Sequence, residues 1–157
     1  MINLKIPGHE PITVAHVTFD YNGTLAVDGF LVAGLKERLV ALAERGVAVH
    51  ILTADTFGLV RKQCGDLPVT IDIFSKDNIA KKKKAFVEKI GGATNIAIGN
   101  GNNDREMFAE SRLSIVVMGT EGCCVKSLLA ADIVVNSPQD ALDLLLKTDR
   151  MVATLRT

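Results

Sequence analysis

The chain has 157 residues, 48% of them apolar, with 18 basic and 18 acidic side chains and no tryptophan. That length sets a single domain over residues 1–157, with a core of about 12–146, as the expectation. The balanced charge excludes the basic excess of a nucleic-acid binder, and no apolar run reaches the roughly 18 residues of a membrane span.

Strand-like and helix-like segments alternate along the chain. Ile2 to Ile6 and Ile12 to Phe19 flank the turn signal Pro7-Gly8-His9-Glu10 and read as an antiparallel pair. Leu35, Leu39 and Leu42 fall at helical spacing, and Gly46 closes that helix. Val47 to Leu52 is a short apolar strand, Asp55 caps a helix through about Lys62, and Gly65 to Pro68 breaks the chain. Val69 to Phe74 alternates as a strand does. Ile79, Phe86 and Ile90 mark one face of a helix that Gly91-Gly92 ends. Asn95 to Ile98 is a strand, Asp104 to Glu110 a helix, Ile115 to Met118 a strand, Val125 to Ala130 a helix and Ile133 to Val135 a strand. Ser137-Pro138-Gln139-Asp140 combines an N-cap serine with a first-turn proline, so a helix starts there and runs through Leu142 to Leu146. This order implies an α/β fold: a three-layer, doubly wound, mostly parallel sheet with an N-terminal antiparallel strand.

Four chemical features sit at predicted strand ends or helix starts. Asp20 ends the run Val14 to Phe19 and is followed by the tight turn Gly23-Thr24; Thr53 ends the strand before it. A lysine stands near the start of the helix before Gly91, and Gly99-Asn100-Gly101-Asn102-Asn103-Asp104 follows the strand Asn95 to Ile98. Parallel strands place their carboxyl ends on one edge, so these features can converge across the sequence. Together they suit phosphoryl chemistry. A carboxylate can attack phosphorus, a hydroxyl and an ammonium can hold the phosphoryl oxygens, and carboxylate and carbonyl oxygens bind Mg²⁺.

In their order the four features resemble the motifs of the haloacid dehalogenase (HAD) superfamily of aspartate-nucleophile phosphotransferases, and within it the soluble branch that is similar to the phosphorylation domain of P-type pumps. Asp20 to Leu25 resembles Asp-x-x-Gly-Thr-Leu, and Leu52-Thr53-Ala54-Asp55 resembles Leu-Thr-Gly-Asp. Lys84-Ala85-Phe86-Val87 resembles the lysine segment, and Ile98 to Asp104 resembles Val-Gly-Asp-Gly-x-Asn-Asp. The resemblance spans about Val14 to Val135 and implies a role for each match. Asp20 is then nucleophile and Mg²⁺ ligand, with the backbone carbonyl of Asn22 as a second ligand. Asn100 and Asp104 form the rest of the metal end. Thr53 and Lys84 hold the phosphoryl group, and Gly23 and Thr24 supply backbone N–H groups to it.

Two positions depart from the pattern. Phosphatases of the superfamily carry Asp two residues after the nucleophile as general acid and base, where this chain has Asn22. General acid–base help is worth about 10²–10⁴-fold, so turnover is expected to be slow. Asn100 replaces an Asp metal ligand, and loss of that charge weakens metal affinity. Both asparagines precede glycine. The gaps Leu25 to Leu52 and Ala54 to Lys84 leave no room for an inserted cap, so the site is expected to be open, with Ala26 to Phe30 as a small hairpin flap. Either a large substrate, such as a phosphoprotein, or a neighbouring copy in a homo-oligomer then covers it.

Each residue also has a plainer reading. Asp20 can be a turn residue, Thr53 an ordinary strand end, and Asp104 an acid suited to a helix N-terminus. Lys81, Lys82 and Lys83 read as a solvated helix face. Lys84 is the preferred phosphate lysine, with Lys76, Lys81 and Lys83 as alternatives. His9, His16 and His50 have no ligand spacing, and His16 and His50 are expected to be packed in strands. Cys64, Cys123 and Cys124 show no metal or disulfide pattern and, with no signal-peptide layout at the start, point to a reducing cytoplasm. No P-loop occurs, and Gly99-Asn100-Gly101 lacks the third glycine of a dinucleotide fingerprint. The favoured reading is a Mg²⁺-dependent phosphohydrolase acting on a small phosphorylated substrate. The second is a phosphate- and metal-binding regulatory module that has lost efficient chemistry. The third, with nothing marking a membrane partner, is a subunit of a split pump.

Overall fold

A computed structural model describes all 157 residues. The strands are β1 (Ile2–Leu4), β2 (Ile12–Val14), β3 (His16–Phe19), β4 (Ala26–Val27), β5 (Phe30–Leu31), β6 (Ala48–Thr53), β7 (Thr70–Ile73), β8 (Asn95–Gly99), β9 (Leu113–Val117) and β10 (Ile133–Val135). The helices are α1 (Leu35–Glu44), α2 (Val60–Cys64), α3 (Ile79–Ile90), α4 (Arg105–Glu110), α5 (Val125–Leu128), α6 (Pro138–Leu146) and α7 (Thr148–Leu155). Six strands form one sheet in the order β10-β9-β8-β3-β6-β7, every neighbouring pair parallel. The chain builds outward from β3 to β6 and β7, then returns to the other side of β3 to lay down β8. That reversal puts a crevice at the carboxyl end of β3, where Asp20 begins.

The expected antiparallel start is present but is not part of the main sheet. β1 pairs with β2 as a separate ribbon, and the expected strand Ile12 to Phe19 breaks at Ala15. Ala15 donates to Thr94 O at 2.9 Å and accepts from Ala48 N–H at 2.9 Å. The chain therefore changes sheets there without leaving its polar groups unpaired.

The two faces of the sheet are unequal. One carries the large core, with Val17, Phe19, Ile51 and Ile98 packed under Leu35, Leu39 and Leu42 of α1 and Leu142 and Leu145 of α6. The other carries a small core of Leu52, Val87, Ala97, Met107, Phe108 and Val116 under α3 and α4. The reason is legible in the strands. Thr18, His50, Asn95 and Ser114 lie on this second face, all buried, where aliphatic residues would otherwise extend the core. Asn95 Nδ2 donates to Thr18 Oγ1 at 3.0 Å, and His16 Nδ1 lies 3.2 Å from His50 Nε2, so the expected packing of both histidines is found.

Between β3 and β6 the chain holds only the hairpin β4–β5 and α1, and between β6 and β8 only α2, β7, α3 and a 3₁₀ turn. No cap is inserted. The hairpin forms as the turn Asp28-Gly29 requires, with both residues at positive φ. Tyr21 Oη donates to Gly29 O at 3.0 Å and holds the hairpin over the β3 loop. α6 starts as expected, with Ser137 Oγ accepting from Asp140 N–H at 3.1 Å. α2 begins later than its cap suggested: Asp55, at φ +45°, accepts from Leu59 and Val60 N–H across a loop. No helix is long and apolar enough to cross a membrane.

Candidate active site

Asp20 leaves β3 in the centre of the sheet, Thr53 ends β6 on one side, and Asn100 follows β8 on the other. Asp104 closes a 3₁₀ turn just before α4. The fold thus brings together the carboxylates and the threonine that the sequence placed at strand ends. The lysine that joins them is Lys83. Its Nζ lies 2.6 Å from Asp20 Oδ1 and 2.7 Å from Asp104 Oδ1, and the residue is fully buried. Lys84, the lysine preferred from sequence, lies on another side of α3. Its side chain is 43% exposed and pairs with Glu88 one turn on. The reading of Lys83 as part of a solvated face is overturned with it. α3 runs with Ile79, Lys83, Phe86 and Ile90 along one side, so Lys83 points to the sheet.

Asp104 is spent on structure. Besides Lys83 on Oδ1, its Oδ2 accepts from Asn100 N–H at 3.0 Å and Gly101 N–H at 2.8 Å. It anchors the lysine and shapes the loop, and has little left to offer a cation directly. Burial pushes the Asp20 carboxyl up to about 6; the Lys83 ammonium opposes the rise and Asp104 adds to it. For Lys83, burial works against the charge, but the two carboxylates outweigh it and hold the ammonium above its ordinary range.

The turn after Asp20 differs from its expected use. Gly23 N–H donates to Ala26 O at 2.8 Å and Thr24 N–H to Tyr21 O at 3.2 Å, so both groups are used inside the turn and do not face an anion. The glycine has another role. It sits at φ +80°, and a Cβ there would collide with the Asn100 amide that lies across it. Thr24 contributes its hydroxyl, 3.1 Å from Asn100 Oδ1 and 3.4 Å from Asp20 Oδ2. One hydroxyl proton serves one acceptor, and the shorter contact assigns it to Asn100. Asp20 Oδ2 keeps only the longer of the two contacts.

Thr53 Oγ1 accepts from Asp55 N–H at 2.9 Å, which orients its own proton away from that amide. Asp20, Asn22, Thr53, Thr56, Asn100 and Asn103 line a recess of about 230 Å³. A larger cavity of about 470 Å³ opens beside it between α3 and α4, with Asn103 on its edge. It contains neither Asp20 nor Thr53, so chemistry rather than volume makes the smaller recess the candidate site. Asn22 Oδ1 is buried with no partner, an unsatisfied acceptor beside Asp20. No group of three or more His, Cys, Asp or Glu side chains is arranged to hold a metal ion.

No family model matches the sequence. The structure is similar to the cobalt-bound deoxy-D-mannose-octulosonate 8-phosphate phosphatase of Haemophilus influenzae, at a TM-score of 0.73 and 16% identity over 92% of this chain and 94% of that one. It is similar to 3-deoxy-D-manno-octulosonate 8-phosphate phosphatase of Moraxella catarrhalis in complex with magnesium, phosphate and KDO (TM-score 0.72, 20% identity, 91% and 94% covered). It is also similar to a protein of Legionella pneumophila placed in the HAD superfamily, subfamily III A (TM-score 0.72, 16% identity, 90% and 87% covered). At 16–20% identity this likeness shows a shared fold. Among sequences, the chain is 52% identical over 61 residues to the uncharacterized protein MJ0073 of Methanocaldococcus jannaschii, which is 39% of this chain and 66% of that one. It is 50% identical over 40 residues to the uncharacterized protein MJ0072 of the same organism, 26% of this chain and 89% of that one, and belongs to one family with it.

Proposed function

We propose that this chain is a magnesium-dependent phosphohydrolase or phosphotransferase in which Asp20 Oδ2 attacks phosphorus. One observation carries the reading. Lys83 holds Asp20 Oδ1 at 2.6 Å, while Oδ2 has only a long 3.4 Å contact from the Thr24 hydroxyl, and Asp20 lines a polar recess. In the step, Oδ2 forms a bond to phosphorus as the ester oxygen departs with its electron pair, leaving an aspartyl phosphate. In this reading the Thr53 hydroxyl, which lines the recess, holds a phosphoryl oxygen as charge spreads, and Lys83, buried behind Asp20, supplies positive charge beside it. Water then attacks phosphorus and returns Asp20. Asn22 cannot carry a proton to the leaving oxygen or from the water, so both halves are slow and good leaving groups are favoured.

The donors fit Mg²⁺, which takes few protein ligands and retains waters. Asp20, the backbone carbonyl of Asn22 and the Asn100 side chain are the groups that would hold it, with Asp104 acting through the loop. The unsatisfied acceptor at Asn22 is consistent with a cation or water in this recess. When bound, the ion supplies charge neutralisation at the phosphoryl oxygens. The structural neighbours named for phosphatase activity, one of them with magnesium and phosphate, support the assignment.

The substrate is a small phosphorylated compound, or a phosphoprotein large enough to cover an uncapped site. A second copy of the chain supplies cover in the first case. The pump-like branch is supported by the motif order alone. Three free thiols suit a reducing compartment such as the cytoplasm. Asn22 and Asn100 favour a second reading, a phosphate-binding module without useful turnover. Incubation with Mg²⁺ and p-nitrophenyl phosphate separates the two. Release that disappears in Asp20→Asn supports the enzyme, and an unchanged rate in that variant refutes the mechanism.

A further inference from the structure

Asn100 stands where the motif it resembles carries a carboxylate, and both ends of its amide are in use. Oδ1 accepts the Thr24 hydroxyl at 3.1 Å, and Nδ2 donates to Gly122 O at 3.0 Å. A carbonyl can only accept, so Gly122 determines which atom of the amide is nitrogen. A carboxylate at this position would set oxygen against oxygen. The backbone continues the join: Cys124 N–H donates to Asn100 O at 2.8 Å, and Ser127 Oγ donates to Gly101 O at 2.7 Å. On its outer side the 119–124 loop is tied to the flap by an exposed bond of 3.2 Å, from Asp28 N–H to Glu121 Oε2. The inner fastening at Asn100 therefore sets where this loop stands at the rim of the site.

We propose that Asn100 is a positioning residue: its amide nitrogen clamps the 119–124 loop to the site, and its amide oxygen, 3.1 Å from the Thr24 hydroxyl, competes for that proton with Asp20 Oδ2 at 3.4 Å. The clamp stands on geometry alone. The second part rests on Asp20 as the nucleophile. Without the Asn100 oxygen, the remaining acceptor near Thr24 Oγ1 is Asp20 Oδ2, 3.4 Å away. A hydrogen bond there would occupy a lone pair needed for attack. Asn100→Asp, which looks like a restoration of a metal ligand, removes the donor to Gly122 and releases the loop.

Two measurements on the full chain test this. The first is amide hydrogen exchange without metal. Asn100→Asp and Asn100→Ala speed exchange at Cys124 and across 119–124 by about tenfold, the scale of one lost hydrogen bond, whereas Thr24→Val leaves the loop as it was. Wild-type exchange in both Asn100 variants overturns the clamp. The second is kcat and KM for p-nitrophenyl phosphate. Asn100→Ala lowers kcat more than it changes KM, and adding Thr24→Val recovers several-fold of the loss. A double variant no faster than Asn100→Ala overturns the role given to the hydroxyl. If Asp20→Asn hydrolyses as fast as wild type, the nucleophile reading fails and the hydroxyl role fails with it, while the exchange result still decides the clamp.

Discussion

Lys83 Nζ lies 2.6 Å from Asp20 Oδ1 although 63 residues separate the two in the chain. The contact ties α3 to the end of β3 and orients the Asp20 carboxylate by occupying one of its two oxygens. Lys83 is fully buried between Asp20 and Asp104, so its removal leaves two carboxylates without their cation. Breaking a buried pair in this way costs about 3–5 kcal/mol. Lys83→Met is expected to lower stability on that scale and to abolish turnover. Lys84→Met removes an exposed pair and changes stability by less than about 0.5 kcal/mol. Urea denaturation of the two variants distinguishes them, and equal effects would contradict the assignment.

Asn22→Asp supplies a group able to move a proton at the leaving oxygen of the proposed reaction. Turnover of an alkyl phosphate is expected to rise by about 10²–10⁴-fold. The gain on p-nitrophenyl phosphate is smaller, because that leaving group needs less help. Steady-state kinetics on the two esters gives the ratio, and an equal gain on both would count against a missing proton carrier.

Gly23 combines φ +80° with no room for a side chain beneath the Asn100 amide. Gly23→Ala is expected to cost at least about 1–2 kcal/mol from the backbone conformation alone and to displace Asn100. Thermal unfolding measures the cost. A midpoint equal to wild type would show that the loop adjusts freely.

The pH dependence of stability has two opposed parts. Burial, with His16 beside it, pushes the His50 imidazole below its ordinary value, and Asp72 opposes the shift only in part. Below about pH 6.5 the unfolded chain takes a proton that folded His50 refuses, so this part of the stability is present above that pH and lost on acidification. Asp20 acts in reverse. Its carboxyl is raised to about 6, so the folded metal-free chain takes a proton first, and the stability gained is present at low pH and lost as pH rises through about 6. His50→Gln is expected to reduce acid destabilisation, and Asp20→Asn to enlarge it. Denaturation between about pH 5 and about pH 7 in the presence of chelator gives both slopes, and slopes of the opposite sign would refute the two assignments.

The alternation of strands and helices, the place of Asp20 at a strand end and the hairpin after it were legible because each rests on local pattern and turn chemistry. The lysine was not, although the signal was there. Lys83 lies four residues after Ile79 and three before Phe86, on the same helix face as the residues that marked the apolar side. A lysine inside a run of four reads as solvated unless a buried carboxylate is known to face it, and that partner comes from another strand. The N–H groups of Gly23 and Thr24 were misassigned for a related reason: the turn's internal hydrogen bonds depend on how Ala26 and Tyr21 close it. Helix α7, whose Met151, Val152 and Leu155 have helical spacing, follows α6 after Lys147 alone, so no turn signal separates the two in the sequence.

The most direct test is to treat the chain with Mg²⁺ and an acyl phosphate donor, quench in acid and locate the phosphoryl group by peptide mass spectrometry. The account predicts a phosphoryl group on Asp20, absent in Asp20→Asn and longer-lived in wild type than in Asn22→Asp. Hydrolysis that proceeds with no phosphoryl group ever found on Asp20, or with the label on another residue, would contradict it.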